Sequence, residues 1–328
     1  MEIKIFVIFS LYLHLSGFAW DLSSIGLHNF TVKHVSLYKS RAFLTILCSC
    51  NVSLVEAAWP ENKIGHRLKI ISDGFIDEHN NCDKPWHVIG TDVDSVGRLW
   101  ILDQGVDQNQ CSAKLIIRSL MLIPNKEIRY DFSFNNNRIY RSIVVDPARS
   151  VDGDTRAFIT LENTDYLLFF SLLKRSFGKL KLESKYAMGL NSFSLSEVTI
   201  NQNQLYISDS LTSRLFSLPV KTLRHLSFPV DGINKIIIKT NVTYVGRLLG
   251  RAYGLRLDLK DQLFYILPRD GAIVKWRPGQ ALRAENHLVV FQRKIDVTQI
   301  ILGTAGKAWA VSSMFVSENG NRHCIRIA

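Results

Sequence analysis

His79, Cys82 and His87 are the residues whose types and spacing come nearest to a metal site, because imidazole and thiolate are zinc's usual ligands. One cysteine and two histidines on a polar stretch lack a fourth ligand at sensible spacing, so no metal is expected. Carboxylates cluster at Asp73-Gly74, Asp77-Glu78 and Asp152-Gly153-Asp154. General acid–base catalysis needs two carboxyl groups in one pocket with their pKa values pushed apart; these clusters read instead as turns. Asp103, Asn163, Asp209 and Asp270 each follow an aromatic-bearing apolar run and are the set best placed to surround a hard cation. Capping of loop backbone is the commoner use of such residues. A Gly-x-Ser-x-Gly elbow, a His-Glu-x-x-His helix and a glycine-rich phosphate loop are all absent. No catalytic residue and no cofactor is expected, and binding is favoured over catalysis.

The elements that would position any site come from a repeat. A long polar residue, then Ala or Leu, an aromatic and an apolar residue recur as Arg41-Ala42-Phe43-Leu44, Arg98-Leu99-Trp100-Ile101 and Arg156-Ala157-Phe158-Ile159. The pattern returns as Gln204-Leu205-Tyr206-Ile207, Gln262-Leu263-Phe264-Tyr265 and Lys307-Ala308-Trp309-Ala310, with the aromatics about 45 to 58 residues apart. A turn-prone residue precedes each copy, a β-rich run lies before that, and a further strand follows, for example Val52–Ala57, Lys114–Leu120 or Ala272–Trp276. Four short strands in roughly 50 residues, with no long amphipathic helix, are the mark of propeller blades. The chain is therefore expected to be all-β, a six-bladed β-propeller forming a single domain over residues 20–328. Each aromatic would wedge between adjacent blades. The chain stops just after the third strand of blade six, so the stretch Trp20–Phe30 is expected to supply the outer strand. A bridge from Cys324 to Cys48 or Cys50 would tie the last blade to the first.

The segment Arg98-Leu99-Trp100-Ile101-Leu102-Asp103-Gln104-Gly105, followed by Cys111 and Lys114-Leu115, resembles the insect Yellow and major royal jelly protein family, which carries an RLWVLD-x-G…C…KL signature. Gln204–Ser208 leading to Leu215–Pro219, Leu263–Tyr265 leading to Trp276, and Ala308–Ser312 extend the resemblance across roughly residues 28–328. It implies a six-bladed propeller, secretion, and roles in cuticle pigmentation, nutrition or amine binding. It also implies a disulfide between Cys82 and Cys111. In the amine-binding salivary members, a Thr, an Asn and a Phe of the last blade contact the ligand. Their positions here hold Thr298, Ser313 and Phe315, so the ligand-binding residues implied are these three, with the amide replaced by a hydroxyl. Dopachrome conversion, another activity of the family, is implied as the alternative.

Residues 1–19 read as an export signal: Lys4, an apolar run from Ile5 to Leu15, and the small-x-small site Gly17-Phe18-Ala19 before Trp20. The apolar run is shorter than the ~20 residues that span a bilayer. Export makes disulfides the default for Cys48, Cys50, Cys82, Cys111 and Cys324, and makes glycans an expectation at the Asn29, Asn51 and Asn241 sequons. The net charge of +11 is spread singly along the chain rather than in blocks. It favours acidic glycans or proteins as partners of a secreted, extracellular protein, and neither nucleic acid nor membrane is expected. The functional expectation is a non-enzymatic propeller that binds a small aromatic or biogenic-amine-type ligand or acts in pigmentation. The alternatives are the dopachrome-converting enzyme and an extracellular scaffold for glycans or proteins.

Overall fold

The computed structural model describes residues 17–18, 20–48, 52–60, 68–73, 82, 85, 87–105, 111–121, 127–132, 138–186, 193–196, 204–209, 211–226, 237–294, 296–303, 306–312 and 324–327. Six sheets follow one another along the chain, antiparallel except for one added parallel strand on the third. Blade one holds Phe30–Tyr38, Arg41–Cys48, Val52–Ala58 and Lys69–Asp73. Blade two holds Val88–Val93, Arg98–Asp103, Lys114–Ser119 and Glu127–Asp131. Blade three holds Tyr140–Val145, Arg156–Leu161, Tyr166–Ser171 and Ser176–Glu183, and blade four Phe193–Leu195, Gln204–Asp209, Arg214–Pro219 and Thr243–Arg247. Blade five holds Tyr253–Leu257, Leu263–Leu267, Ala272–Trp276 and His287–Gln292, and blade six Val297–Leu302, Ala308–Ser312 and Cys324–Arg326. The protein is a six-bladed propeller, and all six repeat aromatics lie on the second strand of their blade.

A blade's sheet has two apolar faces, and only a neighbour on each side can cover both. The packing follows that requirement. Phe43 shares a core with Val88, Leu99 and Ile116 of blade two, and Trp100 with Ile143, Ile159 and Leu168 of blade three. Phe158 packs with Leu205 and Phe216 of blade four, Tyr206 with Leu255 and Leu263 of blade five, and Phe264 with Ile300 and Ala310 of blade six. Trp309 completes the circuit against the blade-one core, where it meets Trp59 edge-on at 5.6 Å. Each aromatic thus faces forward into the next blade.

The polar residue two places before the aromatic has a matching task. Arg41 pairs with Glu56 and donates from Nη1 to the Leu120 carbonyl of blade two, 3.1 Å away. Arg98 pairs with Asp94 and reaches Thr155 Oγ1 of blade three at 2.9 Å. Arg156 pairs with Asp152 and Asp154 and reaches the Leu223 carbonyl beside blade four at 2.7 Å. Leu223 belongs to a short helix, Val220–Arg224, whose Arg224 grips Asp146 of blade three through two 2.8 Å hydrogen bonds. The chain then lays Ile237–Asn241 parallel to Ser176–Glu183 on the edge of blade three before returning as the outer strand of blade four. This stitch across two blades breaks the simple order expected from the repeat.

The signature segment of blade two is a structural knot. Asp94 accepts from the indole Nε1–H of Trp100 at 2.9 Å, from the backbone of Val96 and Arg98, and from the Arg98 guanidinium. Asp103 and Lys114 form a buried ion pair at 3.7 Å. Asp103 takes the backbone N–H groups of His87 and Gly105, while Lys114 donates to the Cys82 carbonyl. Cys82 is bonded to Cys111. Gly105, at φ +74°, lies so close that a Cβ there would stand 2.3 Å from the Cys111 carbonyl, so only glycine fits.

Ring closure differs from expectation. The fourth strand of blade six is Gly17–Phe18, paired with Cys324 and Ile325, not Trp20–Phe30. These two residues lie before the cleavage point that the leader reading sets. Trp20–Leu27 closes the seam by packing instead: Trp20, Leu22 and Leu27 are buried in the core shared by blades six and one, and the Trp20 indole donates to the Ala58 carbonyl at 3.1 Å. The segment follows a 3-10 turn, Ser23–Ile25, rather than an extended path, which leaves its apolar groups free to fill the seam. Cys48 is disulfide-bonded, whereas Cys324 retains its thiol inside the seam core, so no Cys48–Cys324 bridge ties the blades. Position 50 lies outside the described residues. Among the described residues no helix is long and apolar enough to cross a membrane.

Replacing a fully buried aromatic wedge by alanine costs the transfer energy of the ring plus that of the cavity left behind. Trp100→Ala is expected to destabilise the fold by about 3–5 kcal/mol, read as a lower urea midpoint. Trp309→Ala, at a half-buried position, should cost less.

Candidate functional site

The first strand of every blade lines the axis, where a cavity of about 480 Å³ opens between Lys33 and His34 of blade one, Ile89, Thr91 and Asp92 of blade two, and Arg141 to Val144 of blade three. Leu195 of blade four, Tyr253 to Leu255 of blade five and Thr298 to Ile300 of blade six complete the wall. This volume suits one small molecule, and the mixture of apolar side chains with a few polar groups is typical of ligand pockets.

A shared irregularity shapes the wall. In blade one, Val32 pairs with Ile46 and His34 with Thr45, leaving Lys33 as an extra residue. Ile89 is extra in blade two, Arg141 in blade three and Thr298 in blade six. In blade five the bulge falls at Gly254-Leu255, where Gly254 has φ +63° and a Cβ would meet Ile266 at 2.5 Å. Such bulges re-aim side chains, and every one of these bulged residues lines the cavity. Five blades therefore contribute one bulge each to a common collar. Blade four pairs in unbroken register over Phe193–Leu195.

Charge enters the inner strands at equivalent places, of which Asp92 lines the cavity. The first-strand residue paired with the wedge aromatic is Ser36 in blade one, Asp92 in two, Val144 in three, Arg256 in five and Ile301 in six. Blades two and five face each other across a six-membered ring, so a carboxylate and a guanidinium oppose one another. Asp92 accepts from the backbone N–H of Val93 at 2.8 Å and of Val145 at 2.7 Å. Burial nonetheless raises its pKa to about 6, with the Val145 and Val93 N–H groups and Arg256 pulling the other way. Burial lowers His34 to about 4, and Arg256 adds to that effect. Burial also brings Arg256 down to about 10 against the attraction of Asp92. His34 is thus neutral near pH 7. Its Nε2–H donates to the Thr91 carbonyl at 2.7 Å, which leaves Nδ1 as the basic nitrogen. Thr91 also receives the Ser36 hydroxyl.

Of the residues singled out in sequence, Thr298 lies on the cavity, its hydroxyl 3.4 Å from the Val32 carbonyl and 3.3 Å from that of Val311. Ser313 and Phe315 lie outside the described residues, as do His79 and the Asn51 sequon position. Asn29 and Asn241 are exposed. Cys82 is committed to its disulfide, and no group of three metal donors occurs among the described residues. Asp103 serves its ion pair and loop N–H groups, Asp209 receives the Leu211 N–H and the Thr212 hydroxyl, and Asp270 is exposed. His34, Asp92 and Arg256 form no sequence motif because each belongs to a different blade. Their signal is a charged residue in an inner strand, visible only once the wedge aromatics are placed in register.

The two shifted groups act oppositely on stability. Between pH 6.5 and 4 the unfolded chain protonates His34 and the native fold does not, so acidification is destabilising by up to ~1.4 kcal/mol per pH unit. Between about 6 and 3.8 the native fold holds a proton on Asp92 that the unfolded chain has lost, so acidification is stabilising on that account. Urea denaturation from pH 7 to 4 should therefore show a shallower acid loss in His34→Gln than in the wild type, and a steeper one in Asp92→Asn.

No family model matches the chain. It is 22% identical to major royal jelly protein 9 of Apis mellifera over 291 residues, covering 82% of this chain and 67% of that protein. It is 23% identical to major royal jelly protein 3 of the same species over 296 residues, covering 81% of this chain and 52% of that one. The chain thus spans about two thirds and about half the length of these two relatives. The fold is similar to virginiamycin B lyase from Staphylococcus aureus, with a TM-score of 0.54 and 9% identity over 85% of this chain and 77% of that one. It is also similar to a luciferin-regenerating enzyme, with a TM-score of 0.53 and 11% identity over 90% of each chain. The propeller domain of Cps50 (Swd1) from Myceliophteria thermophila gives 0.52 and 11%, over 94% of this chain and 88% of that one. Identities so low speak for the propeller fold and nothing further. The chain is thus distantly homologous to major royal jelly proteins 3 and 9 over about four fifths of its length.

Proposed function

We propose that this protein is a secreted binding propeller that holds one small aromatic molecule in its central channel, with biogenic amines and pigment precursors as the classes to be examined first. The observation that carries this reading is the collar of bulges: five blades depart from regular pairing at the same level, and each departure delivers a residue to one cavity. A purely structural ring has no need of that irregularity. Ile89, Ile143, Leu255 and Ile300 give the cavity flat apolar walls, and Thr298 offers a hydroxyl at its side. The disulfide in blade two and the royal jelly relatives support secretion.

A second reading rests on His34 and Asp92. A neutral imidazole with Nδ1 available and a carboxyl group titrating near 6 line the same cavity, and such pairs are suited to proton transfer. Conversion of a dopachrome-like quinone would use them to move a proton without a metal.

Calorimetric titration with dopamine, serotonin and related catechols tests the binding reading. Saturable heat at micromolar protein, weakened at least several-fold in Thr298→Ala, is expected. Heat from none of the compounds would remove the proposal. For the enzymatic reading, dopachrome decay faster with native than with heat-killed protein, and slowed to the blank rate in Asp92→Asn, is required.

A further inference from the structure

The collar also carries information about the ligand's charge. Its described members are Lys33, Ile89, Arg141, Gly254-Leu255 and Thr298. Two are cations, on blades one and three, with the apolar Ile89 of blade two between them, and no bulge position holds a carboxylate. The Lys33 side chain is exposed at the cavity wall and has no ion-pair partner among the described residues. Arg141 gives Nη2 to Glu162 at 2.5 Å, in a pair whose arginine is half exposed. A guanidinium has five N–H donors, and an exposed pair of this kind exchanges partners at little cost. The cavity's acid, Asp92, is already held by two backbone N–H groups and stands opposite Arg256. A ligand's ammonium group would share the cavity with two cations and with a carboxylate that is already engaged.

We infer that Lys33 and Arg141 form an anion clamp on the channel, and that the ligand is an aromatic molecule bearing a carboxylate or another acidic group. This rests on the binding reading above and narrows its ligand class. The ring would lie against Ile89, between the two bulges. Its acidic group would bridge the ammonium of blade one and the guanidinium of blade three.

Three catechols of nearly equal size separate the possibilities: 3,4-dihydroxyphenylacetate, which is anionic, dopamine, which is cationic, and neutral 4-ethylcatechol. Titrated calorimetrically into the intact protein at low salt, the anion should bind about ten-fold or more tighter than dopamine. The preference should shrink as salt rises, since exposed charges are screened. In Lys33→Gln/Arg141→Gln the ratio of the two affinities should fall to within about two-fold. Lys260→Gln, which removes a distant exposed cation, should keep the wild-type ratio. Equal affinities, or dopamine binding tighter, would overturn the clamp while leaving the channel as a binding site. An unchanged ratio in the double variant would also overturn it. If none of the three binds, the clamp and the binding reading fall together.

Discussion

Each blade of this protein is a sheet with two apolar faces and no means of covering both itself. The structure depends on how that constraint is met: one aromatic side chain per blade, always on the second strand, always inserted into the next blade's core. Phe43, Trp100, Phe158, Tyr206 and Phe264 are buried, and Trp309 closes the circuit beside Trp59 and Trp20. Because the wedge is directional, the blades adopt one hand and one spacing around the axis. The inner strands then face a common channel. The arginines that precede the first three wedges reinforce the same forward contacts with hydrogen bonds, and the helix and stitched strand between blades three and four add a further tie. The seam between blades six and one lacks such an arginine. It uses instead the Gln299 side chain, which pairs with both the N–H and the carbonyl of Val35, and the buried Trp20.

A channel built this way is not automatically a site. Regular inner strands would present a repeated and featureless wall. The bulges change that by adding one residue at one level in five of the six blades, and the residues added differ in character. Fold and function therefore occupy separate parts of each blade. The wedge and its arginine hold the ring, and the extra residue of the first strand is placed on the cavity wall, where it helps to set what the channel accepts.

Much of the ring was legible in the sequence because its cause is local. The aromatic, its polar neighbour and the turn before it recur within a few residues, so the second strands were found in place and the third strands within a residue of their bounds. Interactions of long range were not legible. Ile237–Asn241 pairs with residues 58 positions earlier, which no local pattern records. The closing strand proved to be Gly17–Phe18, because Trp20, Leu22 and Leu27 have more to gain by filling the seam than by lying along an edge. The arginines were noticed only as polar residues, since their partners lie on the following blade. At the site, Thr298 was reached through family resemblance. His34, Asp92 and Arg256 needed the register of three blades, and a bulge is invisible until pairing shows one residue facing none.

The bulge collar, rather than the outer rim, is where the ligand is expected to bind. Hydrogen–deuterium exchange measured with and without a saturating catechol addresses it directly. Slowed exchange is expected at peptides containing Lys33, Arg141 and Thr298, which stand outside regular pairing, with little change in the outer strands. Protection confined to outer strands such as Glu127–Asp131 or His287–Gln292, with the three bulges unaffected, would contradict it.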